Sequence, residues 1–174
     1  SALQLPVRHV DAIELEPSVI DAALSFFEEV NLIHRTHREA PWAEHARLSI
    51  IQDDGRNFLA STDRSYDVII SEPSNPWITG VSDLFTREHF RISKRRLREG
   101  GIYCQWVQLY EISPANIKSI YRTFAEQFEH VLVFGAEGRS SDTILIGSDS
   151  PLPLDVERAE RLFADPAVRA ELRR

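Results

Sequence analysis

The chain has 174 residues, enough for one domain that buries a hydrophobic core without help from disulfides or metal ions. Its formal net charge of -7 argues against a nucleic-acid partner, because phosphate binding depends on clustered Lys and Arg. A single cysteine excludes an internal disulfide, and we expect neither a signal sequence nor a membrane span, because no stretch approaches roughly 20 consecutive apolar residues.

The first predicted elements are a strand and a helix. Val10 to Leu15 alternates like a strand and carries the acidic residue Glu14 near its end. Pro17 suits the first position of a helix. Apolar side chains then recur at helical spacing, at Val19, Ile20, Ala23, Phe26, Phe27 and Val30. The histidines between His34 and His45 are irregularly spaced, which predicts a surface loop and no metal site.

Two further strands follow. Arg47 to Gln52 is predicted as a strand, after which Gly55 allows a sharp turn that would direct the Asp54 carboxylate at a ligand. Val68 to Ile70 is an unbroken β-branched run, typical of a central strand that is buried on both faces of a parallel sheet. Pro73 and Pro76 cannot continue a ladder. The polar residues among them are Ser71, Glu72, Ser74 and Asn75.

The rest of the chain predicts two helices, a strand and a hairpin. Residues 83–86 lead into a helix that runs to about Leu97 and is stopped by Glu99-Gly100-Gly101. Its basic residues from Lys94 to Arg98 are predicted to form a solvated face. The next strand, Ile102 to Leu109, contains Gln105, whose buried amide needs hydrogen-bond partners. Ser113-Pro114 begins a helix with a core-facing stripe. The remaining predicted elements are a hairpin of Val131–Phe134 and Thr143–Ile146 around a turn at Gly138–Asp142, and a terminal helix docked by Leu154, Val156, Leu162 and Phe163, with a loose tail from Ala167 to Arg174.

This alternation predicts an α/β, doubly wound, Rossmann-like fold with a mostly parallel sheet and a C-terminal antiparallel hairpin. We predict a nucleoside-binding domain over residues 1–150 and a helical tail over residues 151–174. Glu14, Asp54 and Glu72 follow three successive strands, whose ends converge on one edge of such a sheet. An adenosine-type sulfonium ligand would find hydrogen-bond acceptors there. The alternative is that these residues cap turns and helices.

The ordered set of these segments resembles the spermidine and spermine synthases, which have the fold of the S-adenosylmethionine-dependent methyltransferases. The resemblance covers Val10 to Tyr110. Within the family, the sequence is similar to a branch in which this domain is part of a larger bacterial, sometimes membrane-embedded, protein. The matching segments are residues 14–20, 53–59, 66–76, 83–86 and 100–105.

The resemblance implies a role for each donor-site residue. Glu14 would bind the ribose hydroxyls of decarboxylated S-adenosylmethionine, and Asp54 with Gly55 would read the adenine. Asp53 and Ser71 would complete this site. The donor, decarboxylated or not, would be a co-substrate, with no metal and no tightly bound cofactor. The resemblance also implies a cytoplasmic location, in a parent protein that is membrane-associated in some relatives, and it is compatible with a homodimer.

The acceptor site is implied in the same way. Glu72 would handle the attacking amine of a small-molecule acceptor, and Asn75, Gln105 and Tyr110 would bind that substrate. The synthases usually have Asp-x-x-Asp-Pro here, so Asn75 removes one charge and should weaken capture of a diamine by about 1 to 3 kcal/mol. Monoamine-like or non-polyamine acceptors therefore become more plausible.

The family places its first strand and glycine-rich loop before the position of Ser1, outside these 174 residues, so we expect the 174 residues alone to bind nucleoside weakly or not at all. Two other functions stay open. One is an S-adenosylmethionine-dependent N-methyltransferase, because residues 74–77 are similar to the Asn-Pro-Pro-aromatic turn of amino-methylating enzymes. The other is a non-catalytic nucleoside-sensing domain, in which Asn75 marks the loss of catalysis.

Overall fold

The computed structural model describes residues 7–26, 47–135, 142–166 and 168–169. The predicted loop from His34 to His45 and most of the predicted turn from Gly138 to Asp142 lie outside these residues. No described helix combines the length and apolar content that crossing a membrane requires. In chain order the elements are β1 (Val10–Glu14), α1 (Pro17–Phe26), β2 (Leu48–Gln52), α2 (Gly55–Ser61), β3 (Tyr66–Ser71), a 3-10 helix (Val81–Phe85), α3 (Arg87–Arg95), β4 (Leu97–Gln108), α4 (Pro114–Ala125), β5 (His130–Gly135), β6 (Asp142–Ser148) and α5 (Val156–Ala164).

The chain divides into two compact units, Ser1–Ser65 with Arg91–Arg96, and Tyr66–Phe90 with Leu97–Arg174. In the first unit β1 and β2 pair in parallel, with Glu14 opposite Gln52. Leu48 is buried against half-buried apolar side chains of both strands and of α1. Because the strands are parallel, their carboxyl ends lie at the same edge of this sheet.

Two arginines stabilise α2 and the segment that follows it, one through an ion pair and one through a hydrogen bond. The Arg64 guanidinium lies 2.8 Å from the carboxylate of Asp11 in β1. Arg96 donates from Nε to the Leu59 carbonyl at 2.9 Å, and so satisfies a carbonyl group near the end of α2. The prediction that the basic residues from Lys94 to Arg98 form a solvated face is therefore wrong for Arg96, which is half-buried.

The second unit contains a four-stranded sheet in the order β3-β4-β6-β5. β3 and β4 are parallel, whereas β6 is antiparallel to both β4 and β5, which confirms the predicted hairpin at the sheet edge. One face of this sheet is covered by aromatic side chains that pack ring against ring. They are Tyr103 of β4, Phe90 of α3, Phe124 of α4 and Phe128, with the Phe124 and Phe128 centroids 4.9 Å apart.

The prediction that β3 is a central strand buried on both faces is wrong for this sheet. Among the described strands, β3 lies at the edge of this sheet and pairs with β4 alone. Ile69 is buried, but Val68 is 51% exposed and Ile70 is 58% exposed. Residues that alternate along a strand point to opposite faces, and the aromatic cluster covers only the face that carries Tyr103. An apolar run indicates a strand, but not how many neighbours that strand has.

The end of α3 and the start of β4 also differ from the prediction. α3 ends at Arg95 rather than near Leu97, and Leu97 already pairs with Tyr66. Gly100 does not stop a helix but lies inside β4 with φ of 73°, a left-handed conformation that glycine adopts at low cost. The register between β3 and β4 shifts at this point, so Gly100 accommodates a bulge.

The prediction that apolar residues dock the terminal helix is wrong. Leu154, Val156, Leu162 and Phe163 are all exposed. The helix is fixed locally, because the Asp155 carboxylate accepts a 2.8 Å hydrogen bond from the Arg158 N–H at its first turn. The spacing of apolar residues predicts a helix with an apolar face, but it does not predict whether that face packs against another element.

Candidate active site

The sheet of the first unit ends in acidic residues at one edge. Glu14 is the last residue of β1, and its carbonyl accepts a 3.1 Å hydrogen bond from the Asp53 N–H just after β2. Asp54 is the next residue along the chain. The structure therefore brings together Glu14, Asp53 and Asp54 at the carboxyl end of a parallel pair, where α/β proteins bind ligands.

Each of these carboxylates makes a local hydrogen bond. Glu14 Oε1 accepts from the Glu16 N–H at 2.9 Å, and Asp53 Oδ1 accepts from the Asp54 N–H at 2.8 Å. Asp54 Oδ1 accepts from the Asn57 N–H at 2.8 Å and caps α2, which confirms the capping interpretation for this residue. An ionised carboxylate has two oxygens and about four acceptor positions, so one such bond orients the group without exhausting it.

Gly55 is the first residue of α2, and its φ lies outside the left-handed region. The chain turns from β2 into α2 at this point, as predicted, but the turn does not use a left-handed conformation of Gly55. A Cβ at this position would meet no atom within 4 Å, so sterics alone do not require glycine here.

In the second unit, Glu72 directly follows β3 and is exposed. Burial raises the pKa of the Cys104 thiol, and the negative charge of Glu72 raises that pKa further. Cys104 lies opposite Ile70 in the β3–β4 ladder. Both effects favour the neutral, weakly nucleophilic form of the thiol.

Asn75 and Tyr110 are brought together by a direct contact. The Tyr110 hydroxyl donates to Asn75 Oδ1 at 3.1 Å. The Tyr110 ring also meets the Trp77 ring edge to face, with centroids 5.7 Å apart. These three side chains join the loop after β3 to the segment after β4.

Gln105 occupies a different environment. It is 0% exposed and lies opposite Ser71 in the β3–β4 ladder. Its Oε1 accepts from the Tyr103 hydroxyl at 2.9 Å, and its Nε2 donates to the Trp106 carbonyl at 3.0 Å. The Gln105 amide is therefore held in the core on the face opposite Cys104, and the structure does not bring it to Asn75 and Tyr110.

The sequence interpretation missed a cavity of about 290 Å³ beside this loop. Its apolar lining residues are Pro76, Trp77, Phe85, Ile112 and Ile120. Glu111 is the one charged residue among the described lining residues. Three serines and an asparagine complete the described lining. Ile120 belongs to the apolar stripe of α4, which the sequence predicts to be part of the core and not of a cavity wall. No sequence signal indicated that Glu111 adopts a φ of 55°, which is rare for a residue other than glycine.

Comparisons with known proteins match this architecture. A model of the spermine/spermidine synthase domain matches residues 2–136. The polyamine aminopropyltransferase of Korarchaeum cryptofilum is 29% identical over 166 residues, covering 92% of this chain and 49% of that protein. A crystal structure of spermidine synthase in complex with the transition-state analogue AdoDATO gives a TM-score of 0.73 at 20% identity, covering 91% of this chain and 54% of that one.

Methyltransferases are also structurally similar. The human methyltransferase-like protein 13 in complex with SAH gives a TM-score of 0.67 at 19% identity, covering 95% of this chain and 72% of that one. These structural similarities show the fold and confirm the predicted α/β, Rossmann-like class. The chain spans about half the length of the aminopropyltransferase and the spermidine synthase that it matches.

Proposed function

The chain belongs to the spermine/spermidine synthase family, and from this premise we propose that it is a domain of an aminopropyltransferase. The proposed reaction moves an aminopropyl group from decarboxylated S-adenosylmethionine to a small-molecule amine. The observation that best supports it is the exposed Glu72 carboxylate, which directly follows a parallel strand. Carboxyl ends of parallel strands are the usual ligand-binding edge of such folds.

The chemistry requires a proton acceptor. The acceptor nitrogen attacks the methylene carbon next to the sulfonium, a C–N bond forms, and the C–S bond breaks with its electron pair going to sulfur. An alkylamine with a pKa near that of lysine, about 10.4, is neutral in only roughly one molecule in 2,500 at pH 7. The Glu72 carboxylate would attract the ammonium ion and take its proton before attack.

We assign the donor to the carboxylates of the first unit. Glu14 would accept hydrogen bonds from the ribose hydroxyls, Asp54 with Gly55 would read the adenine, and Asp53 would complete this part of the donor site. The short backbone contact between Asp53 and Glu14 supports this assignment because it holds two acidic residues at one strand edge. The proposed location is the cytoplasm, which suits a chain whose single cysteine is a free thiol.

Transfer assays on the complete protein that contains these 174 residues test the proposal. Decarboxylated S-adenosylmethionine and putrescine serve as probes, and methylthioadenosine is measured as the product. We expect Glu72→Gln to lower kcat/KM by roughly 10²- to 10⁴-fold, the usual contribution of a general base. Glu99→Gln, at an exposed position in β4, is the matched control and should leave the rate unchanged.

The same assay separates the proposal from its alternatives. Equal rates for Glu72→Gln and the unaltered chain would contradict the assigned base. Methyl transfer from the carboxylated donor would indicate an N-methyltransferase. Binding of methylthioadenosine without turnover of either donor would indicate a nucleoside-sensing domain.

A further inference from the structure

Helix α2 is too short to hold its own position. It has seven residues, Gly55–Ser61, and none of them is buried. Isolated helices of this length are unstable in water, because forming the first turn costs more than the few hydrogen bonds return. The placement of α2 in the first unit therefore depends in large part on contacts at its two ends.

The amino end of α2 begins beside the donor-site carboxylates. The Asp53 N–H donates to the Glu14 carbonyl at 3.1 Å, and Asp54 Oδ1 accepts from the Asn57 N–H at 2.8 Å. Asp54 is thus joined to the helix as its cap. Any displacement of α2 carries the Asp54 carboxylate with it.

The carboxyl end of α2 is held by one arginine. Arg96 Nε donates to the Leu59 carbonyl at 2.9 Å, and Arg96 Nη2 donates to the Ala60 carbonyl at 3.3 Å. The last carbonyl groups of a helix have no partner within it, and a cation is favourable at that end of the helix dipole. The planar guanidinium presents both donors in a fixed geometry, so the two bonds define the direction of the helix end as well as its distance.

Arg96 is itself fixed in the first unit. Its N–H donates to the Ser93 carbonyl at 2.9 Å, and Ser93 is fully buried. Arg96 is half-buried, and Arg91–Arg96 belongs to the same compact unit as α2. Seven helical residues span about 10 Å, so an anchor at Leu59 and Ala60 controls the position of Asp54 across a short, stiff element.

We propose that Arg96 is a positioning residue for the adenosyl donor and that it acts through α2, because its two hydrogen bonds to the helix end fix where Asp54 presents its carboxylate. The proposal rests on the proposed function, which assigns the donor to Glu14 and Asp54. Recognition that depends on geometry weakens when a group moves by about 1 Å. Loss of the Arg96 bonds therefore weakens the donor and leaves the acceptor amine unaffected.

Steady-state kinetics and calorimetry on the complete protein that contains these 174 residues test the proposal. Arg96→Met removes both donors and keeps an unbranched side chain. It should raise the KM for decarboxylated S-adenosylmethionine and the Kd for methylthioadenosine by roughly tenfold, with kcat and the KM for putrescine changed by less than about twofold. Arg96→Lys should recover part of the affinity, because an ammonium group still donates to a carbonyl oxygen but lacks the planar fork.

Two controls separate positioning from a general loss of stability. Arg95→Met removes the same charge from the preceding, exposed residue and should leave both constants unchanged. Hydrogen exchange of the unliganded protein should show protection of the α2 amides falling by about tenfold in Arg96→Met, while the amides of β1 and β2 keep theirs. General destabilisation would instead lower protection in all three elements and reduce kcat at an unchanged KM.

An unchanged donor KM and Kd in Arg96→Met, an equal rise in Arg95→Met, or a fall in kcat alone would overturn the proposal. A rise confined to donor affinity, together with a local loss of protection in α2, would support it. If Arg96→Met weakens methylthioadenosine but the unaltered protein transfers no aminopropyl group, the transfer reaction fails and the positioning role stands. If transfer occurs and the donor KM is the same in both proteins, the positioning role fails and the transfer reaction stands.

Discussion

Replacing Tyr103 by Phe tests the buried hydrogen-bond chain that holds the core of the second unit. The Tyr103 hydroxyl lies 3.1 Å from His89 Nε2 and donates to Gln105 Oε1 at 2.9 Å. A tyrosine hydroxyl has one hydrogen and an amide oxygen can only accept, so His89 Nε2 must be the donor in the first bond. Tyr103→Phe removes one oxygen atom, withdraws this partner from two buried groups, and keeps the ring that packs on Phe128.

The expected cost follows from that count. Withdrawing a hydrogen-bond partner from a buried polar group costs about 1 to 3 kcal/mol, so two such losses lower the free energy of unfolding by about 2 to 6 kcal/mol. Urea denaturation followed by far-ultraviolet circular dichroism measures this change. Tyr110→Phe is the control, because Tyr110 is exposed and the loss of its bond to Asn75 should cost less than about 1 kcal/mol.

A second variant distinguishes the hydrogen-bond chain from general packing. Adding Gln105→Leu to Tyr103→Phe removes the buried amide together with its lost partner, and part of the stability should return. The reasoning is refuted if Tyr103→Phe costs no more than Tyr110→Phe, or if the double variant is less stable than the sum of the two single changes predicts.

Two further predictions concern packing and charge. Gly147→Ala would place a Cβ 2.5 Å from Phe128 Cδ2 and should lower the free energy of unfolding by about 1 to 3 kcal/mol, whereas Gly135→Ala, with only a 3.8 Å contact, should change it little; equal effects in thermal unfolding would contradict this. Because burial and Glu72 raise the pKa of Cys104, its alkylation by iodoacetamide should continue to accelerate above the pH at which a free cysteine levels off. Glu72→Gln should move the midpoint of this rate-against-pH profile to lower pH, and an unchanged profile would show that Glu72 does not act on the thiol.

Local patterns predicted the elements whose boundaries depend on local chemistry. Pro17 is the first residue of α1, and Ser113 caps α4 by accepting from the Asn116 N–H at 3.2 Å, as helix-start preferences require. The alternation from Val10 to Leu15 gave β1 to within one residue. Each of these features depends on residues that are neighbours in the chain, so the sequence carries the whole signal.

The errors arise where distant residues decide the outcome. Gly100 is typical of a helix end, but pairing between Leu97 and Tyr66 draws this segment into β4. The run from Val68 to Ile70 has the same composition whether a strand has one neighbour or two. The contact between Tyr110 and Asn75 joins residues 35 positions apart, and no local pattern predicts it.

The roles of the donor-site carboxylates show the same division. The sequence placed Glu14, Asp53 and Asp54 at strand ends, and the structure brings them to one edge of the first unit. The capping bond of Asp54 was the simpler alternative and is present. Their roles toward a nucleoside remain predictions, because side-chain orientation toward a ligand depends on groups beyond the chain's own hydrogen bonds.

The aromatic cluster on β4 has a practical optical consequence. Its rings are those of Tyr103, Phe90, Phe124 and Phe128, and none is an indole. The tryptophans of the described chain, Trp77 and Trp106, are outside it. The packing of this cluster therefore contributes directly to near-ultraviolet dichroism only through tyrosine and phenylalanine bands, so its melting should be followed in those bands rather than by indole emission.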